Sequence, residues 1–247
     1  MDYLFFIVLF CYVAMQSVET ISFNSRIAGK LTGKLALGTT VQTSIFTMSR
    51  LFLPPILLTL SYMIESGLSL QHFLLTAISL VSLSFFVSLL IFFNLNFFQG
   101  LFQKLFFLYG SNSLPVAILK LFSKKQSFDH KFHLTWQPKL RDLSLKKVFA
   151  ASFSYLFLSI GFLIAFSLAI LIPEYRMTMS QLITAFHGIG AVFIALYIDP
   201  MMSRSLDVAE HNTQWVINIY SILLGRILSY VASSLIFIGL YLYALLM

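Results

Sequence analysis

Charge is scarce in this sequence. Asp, Glu, Lys and Arg make up 10% of its 247 residues, where a soluble domain carries about 25%, so an ordinary water-facing surface cannot be built from it. Cysteine is scarcer still: the single Cys11 lies in an apolar stretch, which excludes an internal disulfide framework and a Cys-based zinc site. A GxSxG elbow, an HExxH pair and an Asp-rich repeat are all missing, so the usual membrane hydrolase and prenyl-transfer chemistries lack their residues. His130 and His133 stand at i, i+3 without the carboxylate or Cys that would complete a metal set. No metal, catalytic residue or cofactor is therefore assigned. The string Gly29-Lys30-Leu31-Thr32-Gly33-Lys34 has three residues between its glycines where a P-loop needs four, and no Ser or Thr follows it. ATP hydrolysis has no support.

What the chain has is hydrocarbon. Hydrophobic residues reach 59%, with 27 Phe, and the apolar runs exceed the length of about 18 residues that marks a membrane helix. They lack the ten-residue alternation of a lipid-facing barrel, and in lipid every backbone polar group must be satisfied within the element. The fold class is all-α and polytopic, a single transmembrane domain over residues 1–247. About six spans are predicted, at residues 3–23, 35–65, 70–93 (the apolar run continuing toward 108), 148–172, 181–198 and 213–247. The first lacks a basic n-region and a small-residue cleavage site, so it reads as a retained signal anchor. Residues 114–122, with Gly110 and Pro115 around their start, are too short to cross and read as an interfacial or re-entrant helix.

The formal charge of +7 then bears on orientation before it bears on nucleic acid, which is not expected as a partner. Positive loops stay cytoplasmic during insertion. The first, third and fifth loops hold Arg26, Lys30 and Lys34, then nine basic residues from Lys104 to Lys147, then Arg204, whereas the second and fourth hold only Arg176. Both termini are predicted outside, with a basic cytoplasmic loop at about 109–147. Its stretch from Lys120 to Lys147, with Phe128, Phe132 and Trp136 interleaved, reads either as a retained loop or as one that adheres to anionic headgroups.

Ionised groups inside apolar spans are the informative ones, because a charge at mid-bilayer costs at least about 2.5–3.5 kcal/mol. Arg50 lies 15 residues into the second span, about 22 Å from its start at about 1.5 Å per residue. Pro54 and Pro55 follow, and they remove the donors that would bond the carbonyls of Arg50 and Leu51. The second helix is expected to kink there, as a hinge beside its own charge; a broken helix at membrane depth commonly lines a wet cavity. Arg226, about 13 residues into the sixth span, has no acid nearby in sequence. Glu19 reads either as an ion-pair partner for Arg26 or Arg50 or as a coupling carboxylate. Asp199, just before Pro200, reads as a solvated helix end or as a second such acid. Arg26, Lys30 and Lys34 recur at i, i+4, i+8, one basic stripe if helical, beside the GxxxG of Gly29 and Gly33. Positive-inside anchoring with close helix packing, and a grip on pyrophosphate, are equally compatible with that stripe.

Two blocks carry a resemblance. Val18-Glu19-Thr20 runs through Ser25-Arg26-Ile27-Ala28-Gly29-Lys30-Leu31-Thr32-Gly33-Lys34 to Ser49-Arg50, and Gly188-Ile189-Gly190 leads to Asp199-Pro200 and then Gly225-Arg226. They resemble the Amj family, the alternate lipid II flippases of bacteria, over roughly residues 17–65 and 184–230. The resemblance implies a multi-pass protein of the bacterial cell membrane that moves lipid II, an undecaprenyl-diphosphate-linked disaccharide pentapeptide, to the outer leaflet for cell-wall synthesis. Its partners would be that lipid, or a related polyprenyl-diphosphate lipid, and the membrane lipids. In this reading Arg50, Arg226, Arg26, Lys30 and Lys34 contact the substrate. A membrane enzyme acting on prenyl phosphates, a non-transporting scaffold and a flippase for another undecaprenyl-linked glycan are the rival readings.

Overall fold

The structure is a computed structural model that describes residues 2–121, 138–208 and 214–246, and every element among them is helical. Helix α1 covers Asp2–Leu31, eight residues beyond the predicted end of the first span. Nothing between Phe23 and Leu31 breaks a helix; the stop comes at Gly33, whose φ of +69° favours glycine. There Lys34 N–H donates to Gly29 O at 2.8 Å and Gly33 N–H to Lys30 O at 3.3 Å, the paired bonds that close a helix C-terminus. Arg26 and Lys30 thus stand on α1 and not in a loop. Lys34 lies past the turn, so the basic stripe does not run along one helix.

Helix α2 (Leu35–Ser49) and helix α3 (Leu53–Glu65) make the second span, joined by a 3-10 turn at Arg50–Phe52. The prolines occupy the first turn of α3, where a missing N–H is tolerated. The break falls just before them, with the Arg50 carbonyl taken by Leu53 N–H. Helix α1 crosses α2 at two glycines, and a Cβ on Gly38 would stand 2.6 Å from the Ser25 carbonyl oxygen and 3.0 Å from the Gly29 Cα. The predicted GxxxG therefore divides its work, Gly29 in the crossing and Gly33 in the turn.

Helix α4 (Leu70–Phe93) begins at Ser69, whose side chain accepts the His72 N–H. The apolar run after it is not a continuation: Asn94 turns its amide onto the Leu90 carbonyl at 2.8 Å, and a separate helix α5 (Leu95–Tyr109) packs against α1. Helix α6 (Leu114–Leu121) is too short to cross a membrane. Phe128, His130, Phe132, His133, Trp136 and Glu210 lie outside the described residues.

Helix α7 (Leu145–Leu171) is followed by α8 (Arg176–Phe193), which starts five residues ahead of the predicted fifth span. That span does not end at Asp199 either. A π-turn at Ile194–Ile198 leads into α9 (Asp199–Val208), and the wider turn accommodates Pro200, which has no N–H to give and whose ring crowds the preceding carbonyls. Helix α10 (Gln214–Leu246) closes the chain.

Among the described residues, six stretches are long and apolar enough to cross a membrane: Tyr3–Leu31, Leu35–Glu65, Leu70–Phe93, Leu145–Leu171, Pro173–Asp207 and Gln214–Leu246. Helices α1, α4, α7 and α10 form the packed centre, α2 and α3 flank α1, and α8 rests on α7. Two apolar clusters fill the centre. One gathers Val8, Tyr12, Phe73, Phe162 and Phe237, the other Phe23, Ile27, Leu158, Ile219 and Leu223. Between these clusters, on α1 and α10, lie Gln16, Glu19 and Arg226.

Candidate functional site

Burying a guanidinium is costly unless its charge and donors are met, and two helices meet the charge of Arg226 and its Nε and Nη2, while its Nη1 has no partner among the described residues. Its Nη2 donates to Glu19 Oε2 at 2.7 Å and to Gln16 Oε1 at 2.8 Å; its Nε donates to the Tyr230 hydroxyl at 3.2 Å. Tyr230 in turn donates to Gln16 Oε1 at 2.9 Å, and the Tyr155 ring lies 4.7 Å beneath the guanidinium carbon. Only 1% of the Arg226 side chain is exposed. The neighbouring Gly225 permits this depth, because a Cβ there would stand 2.4 Å from the Val148 carbonyl oxygen of α7.

The second oxygen of Glu19 faces the other way. Oε1 accepts the Ser49 hydroxyl at 2.8 Å and lies 3.7 Å from Arg50 Nη2. Among the described residues Arg50 forms no hydrogen bond; besides that distant carboxylate it has the Phe46 ring, 4.6 Å from its guanidinium carbon. Its side chain is 28% exposed. One carboxylate thus serves two cations, tightly for Arg226 and loosely for Arg50. Of the two partners expected for Glu19, Arg50 stands beside it and Arg26 pairs elsewhere; its closer partner is Arg226, which was not expected.

Arg26 meets Asp199, with Nη2 2.8 Å from Oδ1. Asp199 is thus an ion-pair partner within a continuing helix and not the solvated end of one. The two lysines turn to helix C-termini, where carbonyls lack partners and attract cations. Lys30 Nζ donates to Leu206 O at 2.7 Å near the end of α9, and Lys34 Nζ donates to Phe106 O at 2.9 Å near the end of α5. The three cations of the sequence stripe therefore attach to two elements, Arg26 and Lys30 to the two ends of α9 and Lys34 to α5.

Arg26 and Asp199 share an opening. Of the most apolar stretch in each span, only 11% is buried in Pro173–Asp207 and 17% in Leu35–Glu65, against 67% in α7. The two exposed spans are the walls of a groove whose floor is α1 and α7. On the α3 side of the 3-10 turn the wall reaches α7, while α2 packs chiefly on α1. The turn at Arg50–Phe52 separates α3, which meets α7, from α2, which packs on α1. Thr43 and Thr47 give α2 an exposed polar face below Arg50. On α8, His187 lies within electrostatic range of Arg50 and Glu19, its Nε2 3.2 Å from the Leu158 carbonyl oxygen. Between the walls, Arg26, Gln42, Thr43, Phe46, Tyr155, Ile194 and Asp199 line a cavity of about 70 Å³.

Counted over this site, Arg26, Arg50 and Arg226 face Glu19 and Asp199, three positive charges against two negative. Sequence reasoning found all five ions but missed Gln16, Ser49, Tyr155, Tyr230 and His187. Two of those had a signal, since Gln16 precedes Glu19 by three residues and Tyr230 follows Arg226 by four, the spacings that share a helix face.

The sequence profile of the Amj family, Alternate to MurJ, matches residues 11–242. The match extends well beyond the two blocks that carry the resemblance and includes the middle of the chain. No curated protein and no solved structure matches.

Proposed function

Because the chain belongs to the Amj family, we propose that it is a flippase of the bacterial cytoplasmic membrane, moving lipid II from the inner to the outer leaflet. The observation that carries this reading is the weakly compensated cation: Arg50, part-exposed at the turn between α2 and α3, shares the Glu19 carboxylate with Arg226, which holds it more closely. A flippase must lower the cost of taking a pyrophosphate through hydrocarbon while leaving the prenyl chain in lipid. A laterally open groove with an unmatched guanidinium part-way down suits both needs.

In this reading Arg26, Lys30 and Lys34 gather the headgroup at the cytoplasmic rim; carbonyl partners leave the charge of the lysines unneutralised. Arg50 meets it next, and Arg226 holds Glu19 in place for it. Pro54 and Pro55 make the joint about which α2 and α3 exchange their open and closed halves. An anion moving outward down a negative-inside potential gains about 2.3 kcal/mol per charge per 100 mV if the full field is crossed. No chemical step is required.

The proposed topology places both termini outside. With Cys11 replaced by Ser, a membrane-impermeant maleimide is expected to label a cysteine at Ser66 or Glu174 in intact cells, and one at Lys139 only after permeabilisation. The reverse pattern would invert the direction of transport drawn here.

The function is tested in a bacterium depleted of its own lipid II flippases. Expression of this chain is expected to restore lipid II in the outer leaflet, read as cleavage by an impermeant enzyme added outside. Correctly inserted protein without such cleavage would remove lipid II as the cargo.

A further inference from the structure

The cavity of about 70 Å³ beside Arg26 has a feature the transport path does not by itself explain. Arg26 is 3% exposed, yet among the described residues its Nε and Nη1 have no hydrogen-bond partner, and the Oε1 of Gln42, which lines the same cavity, has none either. Buried donors of a charged group are rarely left unmet. Asp199 satisfies Nη2 alone, through a single oxygen at 2.8 Å. Nε and Nη2 together form the edge on which a guanidinium grips an oxyanion with two parallel bonds, so the carboxylate uses half of it. Asp199 is also loosely held, its side chain 46% exposed.

We propose that this cavity is a binding site for one phosphoryl group, and that Asp199 occupies it as a stand-in when no phosphate is bound. A tetrahedral phosphoryl group has enough oxygens to take both Nε and Nη2 and to accept the Thr43 hydroxyl, and a rotation of the Gln42 amide turns a donor toward it. The space is several times the roughly 10–15 Å³ that a single water needs, and too small for a sugar ring with its substituents. Displacing Asp199 frees the first residue of α9, directly after the π-turn, so occupancy of the site is coupled to the groove wall formed by α8. Arg26 lies five residues, about 7.5 Å, from the end of α1, at the level where a headgroup arrives. Glu19 is seven residues, about 10 Å, further in on nearly the same face. The cavity is then the first of two anion stations, an assignment that rests on the flippase reading for its cargo but not for its chemistry.

The test measures binding of inorganic pyrophosphate by calorimetry to the full chain in phosphatidylcholine nanodiscs. Asp199→Asn removes the stand-in and is expected to tighten binding at least tenfold over the native chain. Adding Arg26→Gln to Asp199→Asn is expected to abolish that gain, and since it deletes a buried cation without stranding a buried anion, the double variant remains foldable. Equal binding by native and Asp199→Asn proteins, or tight binding that survives Arg26→Gln, would overturn the site. A second arm places undecaprenyl phosphate in the nanodiscs. Competition with pyrophosphate assigns the site to lipid headgroups, whereas pyrophosphate binding without competition assigns it to soluble phosphate and overturns its role as the first station. Lipid II exposure in cells without pyrophosphate binding refutes this site and leaves the flippase reading standing; binding without exposure does the opposite.

Discussion

Arg50→Gln protein is expected to accumulate and fold like the native chain while exposing lipid II about 100-fold more slowly. The two halves of that expectation have separate causes. Arg50 donates no hydrogen bond and sits 3.7 Å from Glu19, which retains Ser49 and Arg226 when the cation is gone. Little in the folded state therefore depends on it. The moving headgroup does, because at mid-span each uncompensated charge costs about 2.5–3.5 kcal/mol, and about 1.4 kcal/mol is a factor of ten in rate. The checks are the thermal midpoint of the purified variant and the external cleavage of lipid II in depleted cells. Native-like transport by Arg50→Gln would remove Arg50 from the path, and a large loss of stability would mean that its weak ion pair is structural after all.

The second large effect is on stability, and it should be unequal for the two ends of the central ion pair. Breaking a buried pair by removing one partner costs about 3–5 kcal/mol, because the other charge is left stranded. Arg226→Met strands Glu19, but Arg50 stands 3.7 Å from it and can close the gap, so the loss should lie at the low end. Glu19→Gln strands both Arg226, 1% exposed, and Arg50, and should reach the high end or prevent accumulation. Combining the two leaves only Arg50 uncompensated, and that protein is expected to be more stable than Glu19→Gln alone. Thermal midpoints in one detergent would rank the three. A Glu19→Gln protein as stable as the native chain would show that Glu19 is not the anion on which both cations depend.

Much of the site was legible because each intramembrane ion announces itself. Arg50 and Arg226 stand out in apolar surroundings whatever they touch, and the weakness of the helix at Pro54 and Pro55 follows from a missing N–H, a property of the residue and not of its neighbours. Pairing was not legible in the same way. Glu19 and Arg226 are 207 positions apart, and nothing local to Leu224-Gly225-Arg226-Ile227-Leu228 names the acid that meets it. The basic stripe misled for a related reason. Its spacing assumed one helix through Lys34, and the turn at Gly33 ended that helix early, leaving Arg26 and Lys30 to meet α9 while Lys34 meets α5.

What the sequence determined by itself is the class of protein: ten per cent charge and long apolar runs admit only helices in lipid, since the backbone must bond to itself there. The ionised residues that stand within the apolar spans are fixed with it. Only the tertiary structure decided that Arg226 is sealed by Glu19, Gln16 and Tyr230 while Arg50 is left at the edge of a groove. Hydrophobicity is a property of each residue and sums along the chain, whereas the partner of a charge is chosen by which helices pack side by side.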